Sequence, residues 1–313
     1  MTDTQFCAKI SREREDPIIG QAAYAKAWLL IEYNGPWEWG AVLDNQLPEA
    51  VKAWLSAIIY SYATTHTVAL FIRHDMRPLA KIRCFVAITR EAQEALYRFE
   101  LSSYEELLKL DLDALRAGDP AYNTYLSPEP IYLVCTNGKH DKCCAKFGMP
   151  IYQEASRLVG EQAWHCTHMG GDQYAANLLC LPRGLYYSRV SVPEVTSIIE
   201  ADGHREIYLP KARGRTCYQP AVQAAEYYLR QQTGNLHLDA FSLLATHSAE
   251  TNVETVHLQA TEDGTIHTLT IQHEIRELSS SQPCSCRNEA KNTRYEFRLL
   301  SYASSSAACS ISP

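Results

Sequence analysis

Residues 131–150 read IYLVCTNGKHDKCCAKFGMP, and residues 164–190 read WHCTHMGGDQYAANLLCLPRGLYYSRV. The apolar run Ile131–Val134 predicts a buried strand that delivers Cys135 at its end. A polar loop, Thr136–Lys142, leads to two more thiols, Cys143 and Cys144. Pro150 stands where the first turn of a helix tolerates it, and Ile151, Ala155, Leu158 and Val159 follow at helical spacing. Beyond that helix come Cys166, His168 and Asp172, the last two separated by Met169, Gly170 and Gly171. Soft and borderline metal ligands are therefore concentrated in two loops on either side of one helix. A short strand at Ala163–His165, a hairpin of Asn177–Leu181 with Leu185–Val190 around Pro182-Arg-Gly184, and a closing helix at Glu194–Glu200 complete the unit. That order is compatible with a thioredoxin-type layer, although order alone does not select it among α/β arrangements.

Working outward, Ala27–Tyr33 reads as a strand ended by Asn34-Gly35-Pro36. Leu47–Tyr62 carries a helical stripe of Val51, Trp54, Leu55, Ile58 and Ile59. Val68–Arg73 and Ile82–Thr89 read as strands, and the acidic stretch that follows, through Leu115, as helical. Gly118-Asp-Pro120 and Ser127-Pro-Glu-Pro130 mark a linker. After Arg213 the pattern becomes a helix, Ala221–Gln231, stopped by Gly234, then strands at Ala240–Thr246, Asn252–Thr261, Thr265–Ile275 and Tyr295–Tyr302. A polar loop containing Cys284-Ser-Cys286 precedes the last strand. The expected fold class is α/β: an amino-terminal α/β domain over residues 1–125, a thioredoxin-like ferredoxin domain over 126–212, an α+β carboxy-terminal extension over 213–302, and a Ser-rich disordered tail over 303–313.

Composition narrows the function. At 313 residues, 46% hydrophobic and 21% charged, the chain is ordinary for a soluble protein of about two domains. A formal charge of -7 supplies no basic field for nucleic acid or an anionic membrane. No stretch approaches the ~18 uninterrupted apolar residues of a membrane span, and the polar start lacks the apolar core of a secretory signal, so a cytoplasmic location is expected. The 11 cysteines are an odd number and cannot all pair internally. In a reducing compartment, clustered thiols point to metal, cluster or redox chemistry. The scattered Cys7, Cys84, Cys180, Cys217 and Cys309 have no spacing signal and read as small buried residues or idle thiols. Trp28, Trp37, Trp39 and Trp54 read as core and loop packing. His140 and His165 read as exposed or capping side chains. Lys211, Arg213 and Arg215 read as a basic surface patch, either merely solvated or able to dock an acidic electron-transfer partner.

Several motifs together resemble the sucrase/ferredoxin-like family. Cys135 and Cys144 have eight residues between them, Asp141 stands inside that loop, and His168-Met-Gly-Gly-Asp172 leads into Tyr174-Ala-Ala-Asn177. Phe6-Cys-Ala-Lys-Ile-Ser11, the Trp28–Trp37 block, and Arg213-Gly-Arg215 before Pro220–Glu226 are also similar to family sequences. The resemblance implies a thioredoxin-like domain holding a 2Fe-2S cluster on two Cys and two His, an electron carrier rather than an enzyme, and a redox partner protein. In this chain it implies Cys135 and Cys144 as thiolate ligands and His168 as the third. Asp172 occupies the place of the family's second His, and Asn137 a place that is often His in relatives. Asp172 is thus the expected fourth ligand, with Cys166 as alternate, and Cys143 as alternate to Cys144. A carboxylate there would restore negative charge and lower the potential relative to a two-His set. The same donors would suit zinc. A cluster-free thiol-disulfide oxidoreductase is a further reading, weaker because no Cys-x-x-Cys heads a helix. Sucrose hydrolysis is not expected, since no carboxylate pair has a positional argument.

Overall fold

The computed structural model describes residues 6–277 and 293–306. A short helix, α1 (Cys7–Glu13), precedes β1 (Ala27–Glu32), α2 (Glu49–Tyr60), α3 (Tyr62–Thr65), β2 (Thr67–Arg73), β3 (Ile82–Ile88), β4 (Ala95–Leu101) and α4 (Leu112–Ala117). Then come β5 (Ile131–Cys135), α5 (Lys142–Val159), β6 (Ala163–Cys166), β7 (Leu178–Leu181), β8 (Leu185–Tyr187), α6 (Val192–Gly203) and β9 (Ala212–Arg215). These strands form one nine-stranded sheet in the order β4-β3-β1-β2-β6-β5-β7-β8-β9. The remainder is α7 (Pro220–Thr233) packed on a four-stranded antiparallel sheet of β10 (Phe241–Glu250), β11 (Val253–Ala260), β12 (Ile266–Glu277) and β13 (Thr293–Ser305). No described helix is long and apolar enough to cross a membrane.

The general α/β class agrees with the sequence reading. The linker anticipated near residue 125 falls between β4 and β5, and strands from either side of it join edge to edge. β2 pairs antiparallel with β6 through Ile72↔Cys166 and Arg73↔His165. Within the second half, β5 and β6 are parallel and connected by α5, as a strand-helix-strand crossover requires. β7 and β8 add an antiparallel hairpin on the other side of β5.

β5 is buried along its whole length, which explains its unbroken apolar sequence. Successive side chains point to opposite faces. Ile131, Leu133 and Cys135 enter a core with Trp164 and Leu179, while Tyr132 and Val134 enter another with Ile151, Ala155 and Ile198. Alternation thus decides which face the Cys135 thiol occupies.

Three local readings are corrected. The helix after β5 starts at Lys142, not at Pro150, which lies inside it. Asp141 is its N-cap, accepting from the Cys143 amide at 2.7 Å, so Cys143 and Cys144 belong to its first turn. The stretch read as helical through Leu115 contains β4, where buried Tyr97, Phe99 and Leu101 alternate with exposed Arg98 and Glu100. Its period of two was present in the sequence; the acidic composition around it favoured helix. At the carboxy end, β13 continues to Ser305 and pairs Ala303 with Thr268 and Ser305 with Ile266, so the strand takes in the start of the expected tail. Cys284-Ser-Cys286, Cys309 and the end of that tail lie outside the described residues.

The basic patch is also corrected. Arg215 is buried and ion-paired to Glu226 at 3.3 Å. Arg213 is buried with its guanidinium 5.1 Å from the Tyr174 ring and 4.9 Å from the Tyr186 ring. Only Lys211 retains exposure, and it pairs with Glu194. Charges that read as surface from sequence are used inside the fold, so they offer no docking surface.

Helix α5 crosses the end of β5 closely. A Cβ at Gly148 would lie 2.2 Å from the Cys135 carbonyl oxygen. Gly148→Ala is therefore expected to cost about 1–3 kcal/mol through forced backbone displacement. The check is a lower urea midpoint with unchanged slope, with Gly203→Ala, whose Cβ meets nothing within 4 Å, as the neutral control.

Candidate metal centre

Three elements bring the predicted ligands together. Cys135 ends β5, Cys144 is the third residue of α5, and His168 lies just beyond β6. Cys135 and Cys166 are register partners at the ends of parallel strands, so the loops that leave β5 and β6 emerge side by side. The His168 Nδ1 atom is 3.6 Å from Cys144 Sγ and 4.0 Å from Cys135 Sγ. All three ligand atoms fall within 4.8 Å of one another. Both thiols are buried and His168 is half-buried.

The thiols are electrostatically unequal. The hydrogen bond from Cys144 holds the Cys135 thiol well below the ordinary thiol range; burial opposes this, and the His168 imidazole assists it. The same shared proton, together with burial, holds Cys144 well above that range. One proton between two sulfurs leaves a pair readily converted to thiolates by a bound cation, since metal ligation requires the deprotonated form.

The loop after His168 is shaped by glycine and braced by polar contacts. Gly170 and Gly171 have φ of +97° and +73°, and a Cβ on Gly171 would strike the Arg213 guanidinium. Asn177 Nδ2 donates to the Gly171 carbonyl at 2.8 Å, and Ser188 donates to Asn177 Oδ1 at 2.6 Å. Tyr186 donates to the Gly170 carbonyl at 2.8 Å. Tyr174 and Arg189 tie down the amino-terminal segment, Tyr174 donating to Gln21 Oε1 at 2.7 Å and Arg189 to Ser11 Oγ and the Asp16 carbonyl.

A family model described as sucrase/ferredoxin-like matches residues 18–214, which span the nine-stranded sheet except its last residue. The chain belongs to that family. No curated protein and no solved structure matches it.

The other sequence-derived candidates of this sucrase/ferredoxin-like chain are distributed as follows. Asp172 is buried and near enough for its charge to raise the pKa of Cys144, but it is not one of the three residues whose ligand atoms cluster. Cys166 is buried in the same core as Cys135 and Cys144, with its Sγ 3.8 Å from Met169 Sδ. Burial raises its pKa well above the usual thiol value. Cys143 turns the other way, to a second group with Cys7 and Asp141.

Three features escaped the sequence reading. His140, read as peripheral, stacks on His168 with ring centroids 3.6 Å apart. Trp39, read as packing, is 45% exposed and stacks on His140 at 5.0 Å, while His140 Nδ1 meets the Trp39 carbonyl oxygen at 2.9 Å. Trp39 and His140 are about a hundred positions apart in the chain, so no local pattern could join them. The third feature is a cavity of about 500 Å³, lined by Leu43, Ile59, Val68, His140, His168 and Met169 among others, which opens beside the cluster of ligands.

Proposed function

We propose that this sucrase/ferredoxin-like chain binds a 2Fe-2S cluster through Cys135, Cys144 and His168, with Asp172 as fourth ligand, and serves one-electron transfer or redox sensing. The observation that carries the reading is the convergence of two buried thiols and one imidazole within 4.8 Å. Two thiolates and nitrogen ligation suit an iron-sulfide core, which when bound supplies a reversible one-electron couple. The strand order β6-β5-β7-β8, a parallel strand-helix-strand unit extended by a hairpin, supports a thioredoxin-like ferredoxin domain.

The protein's own residues have distinct tasks in this reading. β5 and the first turn of α5 fix the two sulfurs, and the surrounding core excludes water from them. Gly170 and Gly171, both at positive φ, shape the loop after His168, and their backbone would tune a cluster if one were bound there. His168 presents Nδ1 to the sulfurs and its ring face to His140, so the stack His168–His140–Trp39 runs from the ligands to a partly exposed indole. We assign this stack as the route of electron exchange with a redox partner protein of a cytoplasmic setting. Asp172 as fourth ligand, in place of a second histidine, would hold the potential below that of a two-His centre.

The test is metal and acid-labile sulfide analysis, with an absorption spectrum, on protein purified without oxygen. Two iron and two sulfide per chain are expected. One zinc and no sulfide would replace the proposal with a zinc-stabilised interaction protein, and neither metal would leave a cluster-free thiol oxidoreductase. His168→Cys is expected to keep the cluster and lower its potential, because a thiolate replaces a neutral imidazole. Protein-film voltammetry measures the shift.

A further inference from the structure

Cys7 and Cys143 are 136 positions apart in the chain, yet their sulfurs are 3.3 Å from each other in the fold. Cys143 is wholly buried and Cys7 is 8% exposed. Around them lie Ala8 and Ala175, with Phe6 and Phe147 packed alongside, and the buried Asp141 carboxylate. The contact is held by polar ties that do not involve the thiols. Arg12 donates to the Ala175 carbonyl at 3.1 Å, and Arg189 donates to Ser11 Oγ at 2.8 Å and to the Asp16 carbonyl at 2.6 Å. Helix α1 is thereby pinned across the loop that follows His168 and against the first turn of α5.

From this geometry we propose that Cys7 and Cys143 form a dithiol modification site, closed to a disulfide by peroxide. The balance is complete with one hydrogen peroxide. Cys7, the more accessible sulfur, attacks the peroxide O–O bond to give Cys7–SOH and one water; the Cys143 sulfur then displaces hydroxide from that sulfenic sulfur, forming the S–S bond and a second water. Two thiols lose two electrons and the peroxide gains them. A disulfide bond of about 2.05 Å requires the sulfurs to approach by roughly 1.2 Å from 3.3 Å, a motion available to two side chains at the ends of helices.

A metal ion fits this group less well. Two thiolates on one tetrahedral zinc, each bonded at about 2.3 Å, stand about 3.7 Å apart. Asp141 Oδ1 is committed to the Cys143 amide as the helix cap, and Oδ2 stands 4.0 Å from Cys7 Sγ. Among the described residues, Ala8, Ala175, Phe6 and Phe147 around the pair bring no further side-chain donor.

The closed disulfide ties the amino-terminal helix to the residue preceding Cys144. The site is defined without reference to any cluster, so its test stands apart from the iron reading. Full-length protein purified without oxygen is titrated with hydrogen peroxide, quenched with N-ethylmaleimide and mapped by mass spectrometry without reduction. Cys143 and Cys144 are adjacent and share their peptides, so the mapping is repeated in Cys144→Ser. The expected result, in both proteins, is a peptide containing Cys7 linked to the one containing Cys143, with loss of two alkylatable thiols and two mass units per chain. In Cys7→Ser the link is absent and oxidation of Cys143 slows at least tenfold. Recovery of Cys7 as the alkylated thiol while other cysteines oxidise would overturn the proposal. So would one equivalent of zinc that is lost in Cys7→Ser and Cys143→Ala but kept in His168→Ala.

Discussion

Cys135→Ser and Cys144→Ser proteins, purified without oxygen, are expected to retain less than about a tenth of the wild-type iron and sulfide, a larger loss than changes outside the ligand shell produce. The reason is the donor set. Each sulfur is one of three ligand atoms within 4.8 Å, and each is buried where no other described side chain of that group can replace it. A serine hydroxyl is harder, far less acidic and bonded through a shorter arm, so it neither matches the soft core nor neutralises its charge. The folded apoprotein should survive in both variants, because serine is close to cysteine in size and leaves little void in the core that Cys135 and Cys144 share with Leu133, Trp164 and Leu179. Unchanged circular dichroism with iron lost is the expected pair of readings. Retention of iron in either variant would show that the cluster is held elsewhere.

The second large effect concerns stability. Glu226→Gln is expected to destabilise the protein by about 3–5 kcal/mol, a fall in Tm of roughly 10 °C for a unit of this size. Glu226 Oε1 receives Arg230 at 2.8 Å and Arg215 at 3.3 Å, with all three side chains less than 5% exposed. Without the carboxylate, two buried guanidinium groups lose the one acidic side chain that both of them contact. Arg230 keeps its hydrogen bonds to the His237 and Leu238 carbonyls, but these neutral oxygens do not offset a full charge. The triad also joins β9, at one edge of the large sheet, to α7, which carries the four-stranded sheet. Differential scanning calorimetry reads the loss. Replacing all three residues by apolar ones of similar volume should recover much of it, since the cost lies in the unpaired charges.

Much of the fold is legible in the chain wherever apolar periodicity is strong. β5 announces itself because both of its faces are covered, and its last residue, Cys135, inherits its direction from the pleat. The segments misread are those where two signals compete. β4 alternates with period two, but acidic neighbours favour helix. The sequence places the start of α5 at Pro150 because proline suits a helix start, whereas the Asp141 cap begins it at Lys142. Cys135, Cys144 and His168 are legible through the family motif, and the fold brings their ligand atoms within 4.8 Å of one another. The contacts of Cys7, Trp39 and His140 are not, since they span about a hundred positions or more and only the sheet order creates them. The buried Arg213 and Arg215 illustrate the converse, that a charge run in sequence does not reveal whether an aromatic face or a carboxylate waits inside the fold.

The most direct measurement of the central claim is pulsed electron paramagnetic resonance on the dithionite-reduced, anaerobically purified protein. The account predicts a one-electron-reduced 2Fe-2S signal with strong coupling to a directly bound imidazole nitrogen, and loss of that coupling, with the cluster signal retained, in His168→Cys. A signal without such coupling in the wild-type protein, or no cluster signal at all, would contradict the assignment of Cys135, Cys144 and His168 as the centre.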